Sequence, residues 1–117
     1  MATYSTSLQL KLITDGTESG TWGSSTNTNW NLIEQAVTGV QSIVMLNADY
    51  TLSVVNGASD EARNAVLVVT GTNSASRKIV APLVNKVYLV YNNTTGGYSI
   101  TIGGSTGSVA TIPNGVT

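Results

Sequence analysis

The chain has 117 residues and a net charge of −1, with 5 Lys and Arg, 6 Asp and Glu, and neither Cys nor His. So few basic side chains argue against nucleic acid, whose affinity rests on several Lys/Arg–phosphate contacts, and against an anionic membrane surface. Without Cys or His there is no disulfide framework, no Cys/His zinc site and no Ser-His-Asp or Cys-His nucleophile. Charged residues make up 9%, against about 25% in ordinary soluble domains, yet mean hydropathy is only +0.13. Ser, Thr, Asn and Gly stand where charge is usually found. A neutral polar surface suits packing against other protein, where paired charges would carry a desolvation cost. The length fits one domain with one modest core. No apolar run reaches the roughly 18 residues of a membrane-spanning helix. Met1–Ser5 lacks the basic and apolar regions of a signal peptide, so synthesis in the cytoplasm is expected.

In chain order, Leu8, Leu10 and Leu12 alternate with Gln9 and Lys11, the period of a half-buried strand. Asp15–Gly20 is a loop with glycine near both ends. Trp22 follows in a polar setting and is expected to anchor that loop on the next helix. The spacing predicts a helix from about Asn27 to Thr38, capped by Ser25 or Thr26. Trp30, Ile33, Val37 and Val40 fall on one stripe, expected to be the buried face. Gly39 stands where a left-handed C-cap is common, and Asn27, Asn29 and Asn31 suit a tight helix entry.

From Ser42 the pattern is β. Ser42–Leu46 and Tyr50–Val55 read as a hairpin around Asn47-Ala48-Asp49. Residues 60–63 suit one helical turn, and Ala65–Thr70 is an apolar run fit for a strand buried on both faces. Lys78–Val84 and Lys86–Tyr91 read as strands around Asn85, with Pro82 marking an edge or bulge. Tyr98–Ile102 and Val109–Ile112 are the last strands. No internal repeat is evident. About seven short strands with regular turns predict a mainly β fold, a small jelly-roll-like β-sandwich over 42–117. An extended N-terminal attachment segment with one short helix, 1–41, would precede it. The Asn114-Gly115 pair normally leads into a return strand, so a longer protein, or a final strand supplied from elsewhere, is expected.

The acids show no spacing that selects a catalytic pair. Asp15 and Glu18 suit loop caps, and Asp60 and Glu61 suit the start of a helical turn. Gly103–Gly107 resembles a phosphate cradle, but no Lys follows and it joins strands, so a β-turn is expected. Arg77 and Lys78 suit a strand edge guarded by charge. Tyr88, Tyr91 and Tyr98 bracket one expected hairpin, as cross-strand partners or as a platform for a glycan. No catalytic, cofactor-binding or metal-binding residue is expected. An uncharged alternating segment at the N-terminus can add to a neighbour as a strand or arm. Tyr4, Leu8, Leu10, Leu12, Trp22 and Trp30 are therefore the candidates for assembly contacts.

Thr21-Trp22-Gly23, Thr26-Asn27-Thr28-Asn29-Trp30 and Leu32-Ile33-Glu34-Gln35-Ala36-Val37-Thr38-Gly39 together resemble the N-terminal region of tail-fibre and related appendage proteins. These belong to tailed bacteriophages, notably marine and cyanobacterial ones. The segment Ala110-Thr111-Ile112-Pro113-Asn114-Gly115 is also similar. The resemblance implies a virion structural role in the tail, an N-terminal domain docked on an adaptor or nozzle protein, a distal region that binds the host, and a homotrimer. It implies no enzymatic activity. A host-glycan-binding module and a capsid decoration protein are the alternative readings.

Overall fold

A computed structural model describes residues 3–117. Met1 and Ala2, where the expected extended arm begins, lie outside the described residues. Among these, the elements are nine short strands, one α-helix and one 3-10 turn, so a mainly β chain with one helix is what forms. The N-terminal leucine segment is not one strand. It folds into a small antiparallel hairpin of β1 (Thr3–Tyr4) and β2 (Lys11–Leu12), reversing through Gln9 at φ +54. Helix α1 runs from Trp22 to Thr38, about a turn and a half longer than the spacing predicts. The loop before it closes earlier than expected, because Glu18 and Gly20 adopt positive φ and the Glu18 carbonyl accepts the amides of Thr21 and Trp22.

The remaining strands are β3 (Val40–Met45), β4 (Tyr50–Thr51), β5 (Val66–Gly71), β6 (Arg77–Val80), β7 (Leu89–Asn92), β8 (Ile100–Gly103) and β9 (Ala110–Ile112). They do not make the expected antiparallel jelly roll. β3, β5 and β7 form one all-parallel sheet; β4, β6 and β8 form a second parallel ladder, with β9 antiparallel on β8. The chain thus makes three stacked turns of a flattened coil, each turn giving one strand to each sheet.

The expected hairpins are corners of this coil. Asn47, Ala48 and Asp49 have turn chemistry, but their side chains reach the next turn instead of closing their own. Asn47 Oδ1 accepts the Ser74 amide at 2.8 Å and Arg77 Nη2 at 3.0 Å, and Asp49 Oδ1 accepts the Lys78 amide at 2.9 Å. Likewise Lys78–Val84 and Lys86–Tyr91 do not pair with each other. β6 and β7 lie in different sheets, and Pro82, which has no N–H to give a ladder, sits in the crossing between them.

The core lies between the sheets. Inward residues stack in register, Gln41 on Leu67 on Val90 and Ile43 on Val69 on Asn92; opposite them Tyr50 stacks on Ile79 on Ile102. Ile43, Leu67, Val69, Ile79 and Ile100 are completely buried. The apolar run Ala65–Thr70 becomes the central strand of the parallel sheet, but it is fully buried on one face only: Leu67 and Val69 point into the core, while Val66, Val68 and Thr70 on the outer face are half-buried. Gly71, at φ +104, is where β5 turns out of the sheet; a Cβ there would strike the Met45 carbonyl, so only glycine fits. The expected helical turn is present as Glu61–Arg63, with Asp60 Oδ1 accepting the Arg63 amide at 2.8 Å.

The C-terminal end of the coil is sealed. Asn92 replaces an apolar residue in its inward stack, and its side chain is fully used: Nδ2 donates to Ile112 O (2.9 Å) and Tyr98 O (3.2 Å), and Oδ1 accepts from Thr94 Oγ1 (2.6 Å). The outer edge of β7 is also occupied at Asn92, whose N donates to Val116 O and whose O accepts from Gly115 N. The Asn114-Gly115 turn therefore folds residues 115–116 back onto β7.

Candidate docking surface

The helix meets its own coil through polar groups. Asn29 pairs with both backbone groups of Lys11: its Oδ1 accepts the Lys11 amide at 3.0 Å and its Nδ2 donates to the Lys11 carbonyl at 2.8 Å. Gln35 Nε2 donates to Ser59 Oγ at 2.8 Å. Leu32 is the one buried side chain of the 17-residue helix. Gly39 is extended, at φ −67 and ψ 142, not left-handed. Its role is close approach, since a Cβ would strike Gln35 O and Asn64 Oδ1.

The predicted buried stripe therefore faces outward. Trp22 is 63% exposed, Trp30 64% and Val37 70%, and Val40 continues the stripe into β3; Ile33 alone is half-buried. A helix normally turns its apolar stripe to the core. Here the face bearing Asn29, Leu32 and Gln35 docks instead, because hydrogen bonds to the β1–β2 hairpin, which straps the helix to the coil, and to the loop before the 3-10 turn hold it. Trp22 does not anchor its loop; it opens the helix with its ring largely in solvent.

The hairpin of β1 and β2 is strapped down from below. Arg63, 4% exposed, donates through Nη1 to Leu8 O and through Nη2 to Val55 O (2.9 Å), Ala58 O (3.0 Å) and Asp60 Oδ2 (3.4 Å). One guanidinium thus joins the strap to the loop after β4, and Asp60 balances its charge. Gly57 N donates to Gln9 O, and the Tyr4 ring lies over Gly57, where a Cβ would meet it at 2.7 Å. Leu8 and Leu10 are half-buried against this support, while Leu12 is exposed. Of the candidate assembly residues, Leu12, Trp22 and Trp30 are open and Tyr4, Leu8 and Leu10 hold the strap.

Between strap and helix lies an open cleft of about 500 Å³ lined by Tyr4, Lys11, Glu18, Ser24, Thr28 and Asn29 among others. Lys11 and Glu18 form an ion pair across it. The Lys11 ammonium, helped by the Thr21 hydroxyl, holds the Glu18 carboxyl below the usual carboxylate range.

The three tyrosines are separated. Tyr88 points inward: its hydroxyl donates to Ala62 O at 2.5 Å, and burial with the nearby Asp60 charge pushes its pKa up to about 12. Lys86 Nζ sits 4.6 Å from the centre of that ring, and burial beside Arg63 pulls its pKa below the ordinary lysine value. Tyr91 lies on the outer face of β7, stacked in register on Val68, and Tyr98 is in the loop before β8. No hairpin brings them onto one platform. The polar contacts of Asn29 and Arg63 had no signal in residue spacing, since each reads the backbone of a distant segment.

No helix among the described residues is long and apolar enough to cross a membrane. No protein-family model, curated protein or solved structure matches the chain.

Proposed function

We propose that this chain is a virion structural protein, an attachment module that docks a host-recognition fibre onto a phage tail, with no catalytic role. The observation that carries the reading is the reversed helix: α1 spends its polar face on its own coil and presents Trp22, Trp30 and Val37 to the outside. Two open tryptophans in a nearly uncharged setting match the core of a protein–protein interface, which is depleted of charge and enriched in aromatics. From Thr21 to Ala48 the sole charged residue is Glu34. The helix is also a poor one alone. Its sequence WGSSTNTNWNLIEQAVT is rich in Ser, Thr and Asn, and isolated helices of this length are marginal even with good formers. A partner on the Trp face supplies the missing burial. The resemblance of these same residues to tail-fibre N-termini names the partner class as an adaptor or nozzle protein of the tail.

The test is incorporation into particles of a Trp22→Ser/Trp30→Ser chain that keeps the wild-type melting point and near-UV spectrum. Loss of incorporation is the expected result. Normal incorporation, or wild-type chain located on the capsid by labelling, would overturn the docking role.

A further inference from the structure

We infer that two copies of this chain pair edge to edge through β3, antiparallel about a two-fold axis at Ser42. The coil is covered at Asn92 on its C-terminal end and open along β3 at the other. Val66 N donates to Gly39 O and Val40 is in register with Val66, so Gly39, Gln41, Ile43 and Met45 direct their backbone groups toward β5. Val40, Ser42 and Val44 therefore turn their N–H and C=O groups to the free edge. Among the described residues no backbone group bonds to them there, and the one side-chain bond is a solvent-exposed one from Gln41 Nε2 to Ser42 O at 3.0 Å.

Such an edge is a template for another strand, and native proteins usually guard it with Lys, Pro, a bulge or a cover. β3, VQSIVM, has none of these. From Gln35 to Ala48 the chain carries no charged residue at all, so a like segment can be brought alongside without like-charge repulsion. Val40 and Val44 are both more than half exposed, as is Leu46 just beyond.

The partner is a second copy because the free groups are self-complementary. A two-fold axis at Ser42 sets Val40 opposite Val44 of the other copy and Ser42 opposite Ser42. All three positions then become hydrogen-bonded pairs, each exchanging both N–H···O bonds, with the Ser42 amide of the other copy replacing the Gln41 side chain on Ser42 O. The outer faces meet valine to valine and serine to serine. A head-to-tail stack would find only Val90 open on β7, since the outward groups of Asn92 are taken by residues 115 and 116, and so would form far fewer bonds than the two-fold pair. The pairing is closed and stops at two. A three-fold arrangement, which the resemblance implies, contains no axis that sets two β3 strands antiparallel. Six edge groups with a few flanking side chains bury less than the roughly 1,200 Å² of a standard interface, so the pair is weak and dissociates on dilution. The surface adjoins the helix stripe at Val40 but uses neither Trp22 nor Trp30.

Sedimentation equilibrium of the full chain over a concentration series tests this, with two variants. Val44→Lys places a charge on the edge, and Ser42→Pro removes an N–H that β5 does not use. Wild type should reach the mass of two chains and fall to one on dilution. Each variant should raise the dissociation constant at least about tenfold while keeping the wild-type circular dichroism and melting point. A wild-type mass of one chain throughout, a mass of three, or a pair that survives both variants overturns the inference. Particle incorporation through the tryptophans is read independently, so either result leaves the other standing or falling on its own.

Discussion

The coil and the helix are built on opposite rules. From β3 to β9 the coil packs a core of apolar side chains in register between its sheets and spends its Asn and Asp side chains on tying one turn to the next. Helix α1 turns its polar side chains inward, where Asn29 and Gln35 hydrogen-bond to the strap and to Ser59, and leaves its aromatic side chains outside. The first arrangement fills its own core. The second is complete only with another surface on the tryptophans. A core and an interface can thus be told apart by which face of an element its hydrogen bonds secure.

Substitutions can sharpen this contrast. The largest effect is expected at Arg63→Ala, which cuts the strap from the coil and leaves Asp60 buried and unpaired. Removing one partner of a buried pair costs about 3–5 kcal/mol, to be read by urea unfolding; a loss near zero would mean that the strap is not held there. Leu67→Ala, in the completely buried centre of β5, should cost about 2–5 kcal/mol by the same measurement.

Alkaline titration gives a smaller effect. Tyr88 holds its proton more tightly in the folded state, with a pKa raised to about 12 from an ordinary 10.0. Its contribution is therefore complete below pH 10 and is lost as pH rises from 10 toward 12. In an ultraviolet titration, Tyr88→Phe should abolish a late-ionising tyrosine; an unchanged late phase would place Tyr88 in solvent. The smallest effect belongs to Trp30→Ala. With the ring mostly exposed, the free chain should change by no more than about 0.5 kcal/mol, an order of magnitude below a buried tryptophan.

Residue spacing located most of the elements but not how they pair. The strands near Ser42, Ala65, Tyr98 and Val109 and the helical turn at 60–63 were legible, because alternation, apolar runs and caps are local signals. Parallel pairing was not. Asn47–Asp49 has the chemistry of a hairpin turn, and the same preferences serve a coil corner whose side chains bond to Ser74 and Lys78. The three turns escaped recognition as a repeat because their inward positions hold unlike residues, such as Ile43, Val69 and Asn92. For the docking surface, the spacing found the stripe of Trp30, Ile33 and Val37 and assigned it to the core. The bonds that reverse the helix come from Asn29 to a residue 18 positions away and from Gln35 to one 24 away, and no periodicity encodes such distances.

Amide hydrogen exchange on the free chain, at a concentration where it is a single molecule, tests the contrast between coil and helix most directly. The amides of β5 should exchange only through global unfolding, while those of Trp22–Thr38 should open through local fluctuations at far lower free energy. Protection of the helix equal to that of β5 would show that α1 is stable on its own coil, and would contradict a tryptophan face that waits for a partner.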